Sequence, residues 1–317
     1  MARSKGKLSK RARSILSLLL FLALLLTINA FMEDPIGGDL LPVDAPKATG
    51  TPKPILPSGK TLDIYVLDVG QGDSIFLRGP SGKTMLVDAS ESNMYERIDA
   101  FLQQQAIKQL DVVVGTHPHA DHIGAMEQVV THYKIGAYYM PDAQNQTRMF
   151  ENLLDALAEH NINVKEASGG KQSTISWEEG IEVRILSPLP DVEYDNLNDS
   201  SVILHVKYGN TSILLTGDAE TFAEKAALKA LPEEYFRSTV LKVGHHGSSS
   251  SSSDAFLDAV SPKIAVVSLG KDNDYGHPHK ETLEALNNRD IPLYRTDTQG
   301  IIHITLDGEG YAVDTEK

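Results

Sequence analysis

The stretch Thr116-His117-Pro118-His119-Ala120-Asp121-His122 is the densest concentration of reactive side chains in this sequence. Three of the 11 histidines fall within residues 117–122, with a carboxylate just before the last. His117 and His119 alternate, so in extended backbone their imidazoles turn to one side. Asp121 and His122 can turn toward a second point a few ångströms away. Imidazole nitrogens and carboxylate oxygens suit zinc, manganese or iron, and two ions about 3.5–4 Å apart can share one hydroxide. The run therefore reads as a metal site rather than a polar loop, with Asp121 a candidate for both ligation and catalysis.

Something must hold these residues in place. The apolar run Asp111-Val-Val-Val-Gly115 directly precedes them, which sets the histidines in the loop at a strand's C-terminal end. From Thr61 onward the chain is written in short apolar runs divided by turns. Leu62–Leu67, Ser74–Arg78 and Thr84–Val87 read as strands joined by Gly70-Gln-Gly72 and Pro80-Ser-Gly82. A helix is expected over Met94–Ala106, and the strand Leu110–Val114 leads into the histidines. Ile181–Ile185, Ser201–Lys207 and Thr211–Thr216 also read as strands, the last two as a hairpin across Tyr208-Gly-Asn210. Helices over Thr221–Leu231, Ala255–Val260 and Lys280–Asn288 then alternate with extended runs at Thr239–Val243 and Lys263–Leu269, and the tail ends in strands. Hairpins mixed with interleaved helices indicate an α/β fold, a layered sandwich over residues 61–317.

The N-terminus is written differently. Six cations and no acid occupy the first 30 residues, and an uncharged run follows from Ile15 to Met32. As a helix it is about 27 Å long, enough to cross a bilayer. Residues 1–32 are thus expected to be a signal anchor, or a signal peptide if cleaved near Ala30, with the cations on the cytoplasmic side. Residues 33–60 hold six of the 15 prolines and read as a Pro/Gly-rich linker. The rest would lie outside the cell, membrane-tethered or secreted.

Without the six N-terminal cations, 23 basic residues face 43 acidic ones, a balance of −20. Such a body repels nucleic acid at long range and argues against a general DNA-coating protein, but not against a nuclease with a small metal-filled cleft. No cysteine is present, so thiolate metal sites and lipid modification of an N-terminal cysteine are excluded. Elsewhere, Asp68, Gln71 and Asp73 surround a glycine turn; they read equally as substrate contacts or as hairpin chemistry. The Ser248–Ser253 run reads as a flexible loop with Ser253 capping the next helix, although its amides and hydroxyls, Ser248 among them, could hold a phosphate.

His117-x-His119-x-Asp121-His122 resembles the signature of the metallo-β-lactamase superfamily. Further segments are similar to one branch of it, the soluble domain of ComEC-type competence proteins and their stand-alone relatives. They are Leu67-Asp-Val-Gly-Gln-Gly-Asp-Ser74, Leu86-Val-Asp88, Asn198-Asp-Ser-Ser201, Leu215-Thr-Gly-Asp218, Leu241-Lys-Val-Gly-His-His-Gly-Ser248, Tyr275-Gly-His-Pro278 and Tyr294-Arg-Thr-Asp297. The resemblance implies a four-layer αβ/βα sandwich and two divalent ions, zinc or manganese, held by His117, His119, Asp121, His122, Asp218 and His245. Asp88 would buttress the histidine loop, and Asp218 would bridge the ions. His246 would point away from the metals, toward a scissile phosphate, and His277 would act on substrate or leaving group. Lactamase-like enzymes usually supply another ligand histidine before the bridging Asp. Here Asn198 and Ser201 occupy that region, so the His117/His119 ion is expected to be one ligand poorer and weaker.

The expected function is an extracytoplasmic two-metal phosphodiesterase using a metal-bound hydroxide, on DNA or on a wall polymer such as a teichoic acid. The alternatives are hydrolysis of a lactam or lactone, and a non-catalytic accessory of DNA uptake.

Overall fold

Alternation of buried and half-exposed residues along Leu62–Val66 lays one face of that strand inward, as a period of two requires. The same alternation recurs along Ile302–Leu306, whereas Thr84–Val87, Thr211–Leu215 and Ile264–Val267 are buried on both faces; together the strands form two sheets. The computed structural model describes residues 60–317; the hydrophobic segment 1–32 and linker residues 33–59 lie outside them. Among the described residues, no helix is long and apolar enough to cross a membrane.

The first sheet has the order β14-β13-β1-β2-β3-β4-β5-β6, the second β12-β11-β10-β9-β8-β7. The strands are β1 Leu62–Val66, β2 Ile75–Arg78, β3 Thr84–Val87, β4 Gln109–Val114, β5 Lys134–Met140, β6 Val164–Glu166, β7 Ile181–Ser187, β8 Ile203–Tyr208, β9 Thr211–Leu215, β10 Val240–Lys242, β11 Ile264–Val267, β12 Leu293–Arg295, β13 Ile302–Leu306 and β14 Tyr311–Thr315. Each sheet joins an antiparallel part to a parallel part. β3, β4, β5 and β6 run parallel in the first. β9, β10, β11 and β12 do so in the second. Parallel neighbours bring their carboxyl ends to the same edge, the usual place for a site in open α/β sheets.

Between the sheets lies a core that includes Ile64, Val66, Val112, Val114, Leu204, Val206, Ile213 and Val240. Each such side chain, fully buried, contributes roughly 1.5–3 kcal/mol of transfer free energy. A second core covers the outer face of the first sheet, where Phe76, Leu86, Val113 and Tyr138 meet three helices. These are α1 (Tyr95–Gln104), α3 (Met126–His132) and α4 (Arg148–Glu159); the single turn Ala120–Ile123 is α2. In α4, Phe150, Leu153, Ala156 and Leu157 fall on one buried stripe, and Thr147 caps the helix by accepting from the Phe150 amide. α5 (Thr221–Ala230), α6 (Asp254–Val260) and α7 (Lys280–Asn287) follow strands of the second sheet and bury their own apolar faces. The result is the expected layering of helices and two sheets.

Most elements fall within two residues of the sequence reading. β5, β6, α3 and α4 were not among the elements expected. β5 hides its pattern behind Lys134 and Gly136, and only pairing along β4 makes its strand character evident.

Candidate metal centre

Every candidate ligand sits where a parallel strand ends. β4 delivers His117, His119, Asp121 and His122; β9 delivers Asp218; β10 delivers His245 and His246. Gly72 lets the 70–73 turn close over the histidine loop. Its φ is +148°, and a Cβ there would stand 2.5 Å from the Asp121 carbonyl and from Ser90 Oγ.

Asp218 is buried at the centre, and its two oxygens face different histidines. Oδ1 lies 3.1 Å from His122 Nε2 and 3.6 Å from His246 Nε2. Oδ2 lies 3.6 Å from His245 Nε2 and 3.9 Å from His117 Nε2. His119 joins the second side, with Nδ1 3.0 Å from His117 Nε2. Asp121 joins the first, with Oδ2 3.4 Å from His246 Nε2 and 3.9 Å from His122 Nε2.

This corrects two expectations. His246 does not point away: its Nε2 is one of four potential ligand atoms, with those of Asp121, His122 and Asp218, that lie within 4.8 Å of one another. His245 stands on the His117/His119 side, so that side does gain a third histidine, from β10 rather than from the 198–201 loop. The backbone makes this division possible. His245 and His246 both take left-handed conformations, φ 47° and 51°, at a cost of order 1–3 kcal/mol each. In a regular strand adjacent side chains would oppose one another; in this turn both rings reach Asp218.

The outer nitrogens follow one scheme. Nδ1 of His122 lies 2.7 Å from Asp88 Oδ2, and Asp88 also accepts from the amide and hydroxyl of Thr116. Nδ1 of His246 donates to the Ser268 carbonyl at 3.0 Å, and Nδ1 of His245 lies 3.2 Å from Glu220 Oε1. Nδ1 of His117 lies 3.2 Å from both Ser201 Oγ and Thr116 Oγ1. A proton on Nδ1 is satisfied in each case, leaving the Nε2 lone pair to face inward.

The donor set fits divalent ions. Among the described residues, His122 Nε2, Asp218 Oδ1 and His246 Nε2 are buried without a hydrogen-bond partner, and they lie within 4.8 Å of one another. Burial opposes charge on His122, but Asp218 and Asp88 outweigh it and hold the imidazole well above the ordinary histidine range. His246 is raised in the same way, against burial, by Asp218, Asp121 and Asp73. Burial would lift the Asp218 carboxyl, yet His122 and His246 keep it well below the usual range. Asp121 is lowered against burial by His246 and His122. Positive charge is thus favoured where a cation would sit. Burial, with His122 beside it, holds His117 well below the ordinary value, and burial lowers His119, so both offer lone pairs.

The remaining candidates divide. Gln71 reaches the site: its Nε2 lies 3.3 Å from His277 Nδ1. His277 packs against both ligand histidines, ring centroids 5.7 Å from His245 and 6.4 Å from His246. Asp73 pairs with Lys242 beneath the centre. Asn198 donates to Glu220, and Ser201 accepts the Asp218 amide at 3.1 Å. Asp68 belongs elsewhere, paired with Arg97 and Lys317. Ser248 Oγ contacts Ser250 Oγ. Ser248, Ser251 and Ser252 of the serine run are buried, and Ser253 makes no side-chain cap; instead Glu224 accepts the Ser252 and Ser253 amides. Glu220 and Lys242 were missed. Glu220 lies two residues beyond Asp218, where a carboxylate next to a bridging carboxylate was the available signal.

A family model for the metallo-beta-lactamase superfamily matches residues 67–271. ComE operon protein 3 of Bacillus subtilis (strain 168) is 33% identical over 258 residues, covering 76% of this chain and 32% of that protein. Competence protein ComA of Neisseria gonorrhoeae is 29% identical over 243 residues, covering 77% of this chain and 32% of that protein. The chain spans about a third of the length of these relatives. Among solved structures, the metallo-beta-lactamase fold protein YhfI from Bacillus subtilis aligns with a TM-score of 0.49 at 12% identity, over 77% of this chain and 100% of that one. The matched span is more than half of the sequence and contains the ligand candidates of both sheets, so the chain belongs to the metallo-beta-lactamase superfamily, with competence proteins of the ComEC type among its relatives.

Proposed function

We propose that this chain is a two-ion phosphodiesterase acting outside the cytoplasm on DNA or on a phosphodiester wall polymer. The observation that carries the reading is Asp218, whose two oxygens each face a separate set of histidines. A single carboxylate placed in this way would be the shared ligand of two cations. His122, Asp121 and His246 would hold one ion, and His117, His119 and His245 the other, with Asp218 shared. Bound there, zinc or manganese would supply Lewis acidity toward a nucleophilic water and positive charge for the phosphoryl oxygens.

The chain's own residues supply the rest. Asp88, Glu220, Ser201 and the Ser268 carbonyl fix the ring orientation of the ligand histidines. His277, held by Gln71 at the side of both sets, would donate a hydrogen bond to a phosphoryl or leaving-group oxygen. The six cations before Ile15 and the proline-rich residues 33–60 support a membrane-held chain with this domain outside.

The test is turnover by the purified full chain, loaded with zinc or with manganese. Substrates are bis-p-nitrophenyl phosphate, p-nitrophenylphosphorylcholine, single-stranded DNA and nitrocefin. Turnover of at least one diester, faster than nitrocefin, supports the proposal. Nitrocefin faster than every diester replaces it with carbonyl hydrolysis, and no turnover of any substrate by a metal-loaded chain favours a non-catalytic accessory.

A further inference from the structure

Lys242 is completely buried, at the end of the strand that leads into His245 and His246. By strand alternation it shares the inward face of Val240, which places it between the two sheets. Its Nζ lies 2.8 Å from Asp73 Oδ2 and donates to the Val243 carbonyl at 3.1 Å. The other oxygen of Asp73 lies 3.6 Å from Nδ1 of His246 and has no hydrogen-bond partner among the described residues. Asp73 is also tied by its backbone: its amide donates to the Asp121 carbonyl in the histidine loop at 3.0 Å, and its carbonyl accepts the amide of Ser90, just beyond β3, at 2.8 Å. One residue therefore touches two of the ligands on the same side of Asp218.

A buried ammonium–carboxylate pair is a poor stability device. Replacing such a pair by apolar residues of similar volume is often neutral or stabilising, whereas removing one partner leaves an uncompensated buried charge. Its position suggests a different use. We propose that Lys242 is a positioning residue for the metal centre: its ammonium holds the Asp73 carboxylate behind His246 and beneath the Asp121 segment. It thereby sets the geometry of the Asp121/His122/His246 side selectively. The other side is braced differently, His117 by Ser201 and Thr116 and His245 by Glu220.

This inference rests on the two-ion reading, and its test separates the two. Zinc is titrated calorimetrically into the metal-stripped full chain, into Lys242→Met, and into the double variant Lys242→Met/Asp73→Leu, with thermal unfolding of each metal-free form recorded in parallel. The unsubstituted chain is expected to show two binding events. Lys242→Met should weaken one of them by about 10–100-fold, the usual range for groups that orient a ligand, and leave the other unchanged. The double variant, with no buried charge left over, should regain the thermal stability lost in Lys242→Met while keeping the weakened event. A role in folding alone predicts instead that both events return to normal with stability, and that result overturns the inference. Equal weakening of both events in Lys242→Met also overturns it. Absence of binding by the unsubstituted chain sinks the two-ion reading itself, and this inference with it.

Discussion

Gln71 grips His277 with its amide in one orientation: Oε1 accepts the Gly270 amide at 3.1 Å, so Nε2 is the group 3.3 Å from His277 Nδ1. An amide nitrogen only donates, so Nδ1 accepts and the ring proton sits on Nε2. Burial, with His279, His246 and His245 adding to it, pushes the His277 pKa down to about 4. The imidazole is then neutral at physiological pH and acts as a fixed hydrogen-bond donor rather than as a proton reservoir. Gln71→Leu should lower diester turnover about tenfold, less than the loss from deleting an oxyanion donor outright, with metal content unchanged. Steady-state kinetics with metal analysis checks this; unchanged turnover removes His277 from the chemistry.

Glu220 accepts from four neighbours, His245, Ser250, Asn198 and Asn196, and ties the serine run to the ligand set. Glu220→Ala should weaken zinc binding on the His117/His119/His245 side by about 10–100-fold, and Glu220→Gln, which keeps an acceptor, should recover part of it. Titration calorimetry reads both, and equal affinity in all three chains would show that His245 needs no such support.

The histidine motif was legible because it is local: six residues after one apolar strand carry four candidate ligands, three imidazoles and a carboxylate. The division between His245 and His246 was not. Strand alternation predicts that one of two adjacent residues faces away, and nothing in Val-Gly-His-His-Gly announces the two left-handed residues that bring both inward. Glu220 and Lys242 act through Asn198, Ser250 and Asp73, partners 22, 30 and 169 positions away in sequence. Asp68 fails for the opposite reason. It sits in the right turn, but its Oδ2 is engaged by both Arg97 and Lys317, which only the assembled fold brings near.

Asp63, on β1, accepts from His303 on the neighbouring β13 at 2.8 Å. Burial raises its carboxyl, but the bonds from His303, Thr61 and Thr305 outweigh that and hold it below the ordinary value of 3.8. A depressed folded pKa contributes stability above the unfolded value, and that stability is lost as pH falls through the folded one. Asp63→Asn should therefore cost about 1 kcal/mol at pH 7, discounted for partial exposure, and the difference should close at strongly acidic pH, once the folded carboxyl is protonated. Denaturant unfolding at both pH values tests this; a gap that persists at low pH assigns the effect to packing.

If the N-terminal cations and the apolar run act as proposed, the full chain sediments with the cytoplasmic membrane. Protease added to intact cells then degrades residues 61–317. Removal of residues 1–32 should move the protein to the cytosol, and recovery of the intact full chain in cytosol would contradict the proposal.

The central claim is that one carboxylate, Asp218, joins two cation sites into a single hydrolytic centre. Asp218→Ala removes the shared ligand while leaving both strands and the flanking histidines in place. The decisive measurement is turnover of bis-p-nitrophenyl phosphate by the metal-loaded variant against the unsubstituted chain, with circular dichroism as the folding control. A loss of at least about a hundredfold is expected, comparable to removing a major electrostatic stabiliser, in a chain that remains folded. His277→Ala should lose less. Near-normal turnover by folded Asp218→Ala would contradict the claim.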